Sequence, residues 1–215
     1  MALKEYAIPE ARPLPVVLLL DVSGSMGVDG KIGSLNTAVK EMIETFKEQD
    51  DSQAEVHVGI ITFGNSAQIH QEIIPVSEAS WNDMQANGST PMGASFDIAR
   101  ELIEDREKIS GRAYRPTMVL ISDGQPTDDW ENPLSSLLNS ERASKAFRFA
   151  MGIGTIDDVV LTRFLDDPEN RVFNADEADQ IKKFFRFVTM SVTSRVQSKS
   201  PDEPEIVKPD PDDFF

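Results

Sequence analysis

The sequence predicts an α/β fold: a doubly wound, Rossmann-like, mainly parallel sheet of six strands, with one antiparallel edge strand and helices on both faces. Two observations carry this. Short apolar runs such as "VVLLL" (16–20) and "TMVLIS" (117–122) show no polar alternation, as expected of strands covered on both sides. Between them lie segments whose apolar residues recur at helical spacing, so strands and helices alternate along the chain. A chain of 215 residues, 40% of them apolar, suits one domain with a sizeable core.

The elements follow in order. Residues 1–13 read as an N-terminal arm, 14–196 as the domain and 197–215 as an acidic, Pro-rich tail too polar to order itself. Val16 to Leu20 is the first buried strand. Ile32, Leu35, Val39, Met42, Ile43 and Phe46 mark one face of a helix. "VHVGIITF" (56–63) is the second strand, and "GNSA" turns the chain into an alternating segment, 67–74, suited to an antiparallel edge. Trp81 and Met84 suggest a short helical turn before the loop "ANGST". A helix over 93–109, the strand 117–122 and a helix over 134–145 come next. "FRFAMGI" (147–153) is a strand. A short helix over 157–165, a brief strand at Val172 and Phe173, and a long amphipathic helix over 177–196 complete the pattern.

Composition excludes several classes of function. The net charge of −16 disfavours nucleic acid and anionic membranes, since phosphate binding needs clustered Lys and Arg. There is no apolar run long enough to cross a bilayer and no basic-then-apolar leader, so a cytoplasmic location is expected. With no cysteine, thiolate metal sites and disulfides are excluded.

Chemistry concentrates at strand ends, where ligands bind in doubly wound folds. Asp21, Ser23 and Ser25 stand at alternate positions after the first strand, so their side chains can converge on one point. Thr90 sits in "NGSTPMG" just before a helix, and Asp123 directly follows "TMVLIS". All five offer hard oxygen, which selects Mg²⁺, Mn²⁺ or Ca²⁺ over zinc or copper, and Mg²⁺ is the cofactor expected. Such a divalent cation would accept a further anionic ligand, an Asp or Glu of a protein partner. Met26, Met92, Gln125 and Trp130 lie beside these residues and suit an apolar rim touched by that partner. Trp130 suits either an interface anchor or plain packing against the following helix.

Rival chemistries fare worse. A phosphatase of the haloacid-dehalogenase type also ends a buried strand in Asp, and "SDGQPTD" would supply Asp123 and Asp128. It needs a second acid two residues after the nucleophile, where this chain has Ser23. An EF-hand loop starting at Asp21 fails at Met26 and Ile32. No Ser-His-Asp arrangement and no GxxxxGK loop are present, and no catalytic residue is assigned. His57 and His70 lie away from the three loops.

In "LLLDVSGSM", "STPMGAS" and "VLISDGQPTD" the chain resembles the von Willebrand factor A (VWA) domain over residues 16 to about 195. The resemblance implies a metal-ion-dependent adhesion site (MIDAS) with Asp21, Ser23, Ser25, Thr90 and Asp123 as its ligands. It implies a protein-binding module, not an enzyme, whose partner supplies a carboxylate to the metal. "RPLPVVLLLDVSGSM" followed by "KIGSLNTAVKEMIETF" looks like the small bacterial VWA proteins of the tellurium-resistance type, which implies kinase- and phosphatase-like partners in a stress system. The alternative is a VWA scaffold that works without metal. The oligomeric state is left open.

Overall fold

The computed structural model describes residues 11–48, 54–154, 158–175 and 177–203. In chain order the strands are β1 (Arg12–Asp21), β2 (Ala54–Phe63), β3 (Ala67–Pro75), β4 (Thr117–Ser122), β5 (Phe147–Ile153) and β6 (Phe173–Ala175). The helices are α1 (Lys31–Lys47), α2 (Met92–Glu104), α3 (Glu131–Leu138), α4 (Val159–Leu165) and α5 (Ala178–Gln197). Single 3₁₀ turns occupy Gly24–Gly27, Val76–Glu78 and Ala143–Lys145.

The six strands run in the order β3-β2-β1-β4-β5-β6. All neighbouring pairs are parallel except β2 with β3, the antiparallel edge. The expected fold class is therefore the observed one. Strand β1 shows how the double layer arises. Val16, Leu18 and Leu20 face the core shared with α1 and α5, while Val17 and Leu19 face the core beneath α2, α3 and α4. Every one of these five side chains is fully buried, as a two-sided apolar run demands.

Several boundaries differ from the sequence reading, each for a visible reason. Strand β1 begins at Arg12, inside the stretch expected to be an arm, because pairing with β2 continues back to Ala54. Residues 1–10 lie outside the described residues. The segment after Val76–Glu78 is irregular through Pro91, without the expected turn at Trp81 and Met84. The amide of Asn36, on α1, holds it instead, donating to Met84 O (3.0 Å) and accepting from Met84 N–H (2.9 Å). Helix α2 stops at Glu104, not Ile109. The Arg142 guanidinium there captures the Ile103 carbonyl, which a continuing helix would need, and holds the carbonyls of Ile109 and Ser110 beside it. The expected helix over 134–145 starts at Glu131 and splits at Leu138, since the Glu104 carboxylate accepts the N–H groups of Arg142 and Ala143.

The end of the domain is anchored further than expected. Arg195, 3% exposed, donates to Thr117 Oγ1 (2.7 Å), Arg115 O (2.7 Å) and Pro201 O (2.9 Å). Asp202 accepts the Arg115 N–H at 2.7 Å. Residues 198–203 thus pack on the domain, and the rest of the proposed acidic tail, 204–215, lies outside the described residues.

Candidate functional site

Strand β1 has β2 on one side and β4 on the other, so the connections leave its C-terminal end in opposite directions. A crevice forms at such a switch point. The parallel register pairs Leu20 with Ile121, which places Asp21 beside Ser122 and Asp123 just beyond it. Two carboxylates separated by about a hundred residues are therefore neighbours because of strand order alone.

The first loop leaves β1 in a 3₁₀ turn. Asp21 Oδ1 accepts the Ser23 N–H at 2.8 Å, and the Ser122 hydroxyl donates to its Oδ2. Both oxygens of this fully buried carboxylate are thereby oriented. Ser23 Oγ and Ser25 Oγ lie 3.0 Å apart, and Ser25 Oγ donates to Asp123 Oδ1 at 2.6 Å. Thr90 Oγ1 joins from the second loop: a Cβ placed on Gly124 would lie 3.5 Å from it and 4.0 Å from Ser25 Oγ. All five predicted residues are brought to one place.

Backbone contacts hold the loops together. Gly24 N–H donates to Gly88 O (3.0 Å), and Asn87 N–H to Val22 O (2.7 Å). Gly88 has φ +80° and presses on Asn65, where a Cβ would meet backbone at 2.5 Å. Only glycine satisfies both demands. Thr127 clamps the third loop to the second, its N–H donating to Thr90 O and its Oγ1 accepting the Thr90 N–H.

Burial pushes the Asp21 carboxyl above its usual range. Hydrogen bonds from Ser122 and Ser23 pull it back, and the nearby Asp123 charge adds to the rise. Asp123 has a different partner. Its Oδ2 accepts from Lys31 Nζ at 2.7 Å, and its side chain is fully shielded from solvent.

Four residues at the site carry roles that the sequence reading did not assign. Lys31 and Ser122 complete the two carboxylates. Thr127 ties loops. Asp128, weighed above as part of a phosphatase motif, instead accepts the N–H groups of Gly93 (2.9 Å) and Ala94 (2.9 Å) and so caps α2. Ser122 had a readable signal, since a hydroxyl one residue before a strand-end Asp must lie beside the neighbouring strand's last residue. Lys31 had a weaker one. A cation in the first turn of a helix opposes the helix dipole and needs another reason to be there.

The expected rim requires correction. Met26 and Met92 are both fully buried, one in each core, because Met26 packs down from the Gly24–Gly27 turn on the α1–α5 side and Met92, the first residue of α2, packs on the opposite side. Neither can touch a partner. Gln125 is exposed. Trp130 is half-buried against the α2–α3–α4 core, with the Arg163 guanidinium 5.5 Å from its ring centre, so packing describes it. His57 meets Glu55 (2.9 Å) and His70 meets Asn82 O (3.1 Å), both away from the three loops. Among the described residues there is no group of three or more His, Cys, Asp or Glu able to hold a metal. Any cation here must use the hydroxyls.

Comparison with known proteins gives a consistent picture. Residues 16–187 match the von Willebrand factor type A domain. A protein of Escherichia coli K12, the uncharacterized YfbK, is 25% identical over 160 residues, covering 70% of this chain and 26% of YfbK. This chain therefore spans about a quarter of that relative's length. Among solved structures, a von Willebrand factor type A protein from Catenulispora acidiphila superposes with a TM-score of 0.63 at 18% identity, over 86% of this chain and 43% of that one. Proximal thread matrix protein 1 from the mussel byssus, described with a zinc-occupied MIDAS motif, superposes with a TM-score of 0.62 at 14% identity, over 84% of this chain and 48% of that one. At these identities the structures speak to fold.

Proposed function

The chain belongs to the von Willebrand factor type A domain family, and on that premise we propose that it is a metal-dependent protein-binding module whose metal site is the crevice between β1 and β4. The observation that supports this best is the convergence of Ser23, Ser25, Thr90, Asp21 and Asp123 at the switch point. These donors fit a hard divalent cation. They are all oxygen, and the two carboxylates match its charge. A bound cation would supply a positive, Lewis-acidic point able to take one more carboxylate.

Each residue has a part in holding it. Ser23, Ser25 and Thr90 offer neutral hydroxyls, which leave charge on the site for an incoming anion. Asp21 already has both oxygens engaged, so it serves as the buried orienting charge behind the hydroxyls. Asp123, its side chain shielded behind Ser25 and Lys31, can act directly or through water. The partner is a protein presenting Asp or Glu, in keeping with this acidic chain's poor match to nucleic acid or anionic lipid. No helix among the described residues is long and apolar enough to cross a membrane. The working setting we propose is a bacterial cytoplasmic stress system of the tellurium-resistance type.

Calorimetric titration of EDTA-stripped protein with Mg²⁺, Mn²⁺, Ca²⁺ and Zn²⁺ tests the metal reading, wild type beside Asp21→Asn. One saturable site in the wild type, weakened in the variant, is expected, and added acetate should tighten it as a stand-in for the partner. Equal binding by both proteins would refute the assignment. Absence of binding, with and without acetate, would favour a scaffold that works without metal.

A further inference from the structure

Lys31 is the first residue of α1, reached through two consecutive left-handed residues, Asp29 (φ 56°) and Gly30 (φ 73°). Asp and Gly are among the residues that adopt that conformation, and the turn they form sets the start of α1 at Lys31. The helix dipole opposes a cation at this end, and no acidic residue in the first turn of α1 compensates. What compensates is Asp123. The ammonium lies 2.7 Å from Oδ2 of a carboxylate that solvent does not reach, while the lysine side chain is itself 20% exposed.

The consequence concerns the cation. Asp21 and Asp123 bring two negative charges to the crevice, and Lys31 neutralises one of them. Asp123 has two oxygens, one accepting from Ser25 and the other from Lys31. A metal ion drawing on Asp123, directly or through water, must share this carboxylate with a charge of its own sign only a few ångströms away. At such range like charges repel strongly in a site shielded from water. The lysine stem is flexible and its ammonium can regain water through the exposed face.

We propose that Lys31 is a tethered cation that competes with the divalent ion for Asp123. It pairs with Asp123 and halves the negative charge of the crevice without metal, and swings out to solvent when metal binds. This rests on the metal-site reading above and adds to it a residue that sets the threshold of occupancy.

Two experiments on the full chain test it, with Mg²⁺ and Mn²⁺ alone as probes. In calorimetry, Lys31→Met and Lys31→Gln should each bind metal about tenfold more tightly than wild type, and both should melt at a lower temperature in EDTA. In the wild-type protein, an amine-reactive reagent followed by mass spectrometry should label Lys31 several-fold faster with saturating Mg²⁺ than with EDTA, with Lys47 as the unchanged control. Wild-type binding that these variants leave unchanged or weaken would overturn the competition while leaving the metal site standing. So would labelling of Lys31 that metal does not alter, a result that needs no variant to fold. If neither wild type nor variants bind metal, the metal-site reading falls and this inference with it.

Discussion

Asp21→Asn separates what the carboxylate does for the fold from what it does for a cation. The carboxylate is fully buried, forms no ion pair among the described residues, and accepts one bond from Ser23 N–H and one from Ser122 Oγ. An amide of the same shape keeps both contacts. Its oxygen accepts from Ser23 N–H, and its nitrogen donates to Ser122 Oγ, whose proton turns to Gly124 O, 3.2 Å away. Replacing two charge-assisted bonds by neutral ones loses about 1 kcal/mol each. Removing a buried, unpaired charge returns several kcal/mol. The metal-free variant is therefore expected to be as stable as wild type to within about 1 kcal/mol, or more stable. Asp21→Ala is different. It leaves Ser23 N–H without its partner and should cost about 2–3 kcal/mol. Burial raises the Asp21 carboxyl from its ordinary 3.8, so its folded form binds a proton more tightly than its unfolded form. Wild-type stability then falls as pH rises through that interval, and Asp21→Asn lacks this slope. Urea unfolding in EDTA between pH 4 and 7 reads all three quantities. A loss in Asp21→Asn as large as in Asp21→Ala would refute the reasoning, because it would mean the charge itself stabilises the fold. With metal, Asp21→Asn should weaken affinity about 10- to 100-fold, the range for groups that orient metal ligands.

Other perturbations give equally definite outcomes. Gly93→Ala places a Cβ 2.1 Å from Asp129 O, so urea midpoints should show a loss of about 2–3 kcal/mol although Ala normally favours a helix. Asp128→Ala removes the cap on α2 and should cost about 1 kcal/mol in the same assay, without the loss of a chemical step that a phosphatase would show. Arg195→Ala breaks three hydrogen bonds, two of them buried, and releases Pro201, and a loss of about 3–5 kcal/mol is expected, with faster hydrogen exchange over residues 198–203. For Glu104, burial opposes ionisation, but the Ala143 and Arg142 N–H groups outweigh it and hold the carboxyl below its ordinary 4.5. Its contribution should be full above that range and fade as pH falls below it, a slope that Glu104→Gln removes.

The fold was legible because its signals are redundant. The β1 and β4 runs are apolar on both faces, as strands covered on both sides are, and their alternation with helical segments points to a parallel sheet. The convergence of Asp21, Ser23, Ser25, Thr90 and Asp123 was legible for a related reason, since each lies at the border of a readable element and strand order does the rest. What escaped depends on single side chains acting across the sequence. Nothing local announces that Asn36 holds Met84, or that Arg142 ends α2 by taking three carbonyls. Met26 and Met92 misled because adjacency to a ligand in sequence says nothing about which way a side chain points after a turn. Lys31 stands 92 residues from Asp123, and only the fold makes them a pair.

The two carboxylates then differ in a way that stability alone does not explain. Asp123 is paired with Lys31 and Ser25, an arrangement a folded protein can keep at little cost. Asp21 is buried, unpaired and pushed toward its neutral form. Asparagine would satisfy the same neighbours with less penalty, as worked out above. A perturbed carboxyl in a crevice is a candidate for function, and the metal-site proposal gives this one a purpose. A second positive charge removes the anomaly. With a divalent cation in front of the hydroxyls, Asp21 acquires the counter-charge it lacks, and Lys31 becomes the charge in excess. On the metal-site proposal the pair would exchange roles on metal binding: the unpaired carboxylate would gain a counter-charge, and the paired lysine would be displaced.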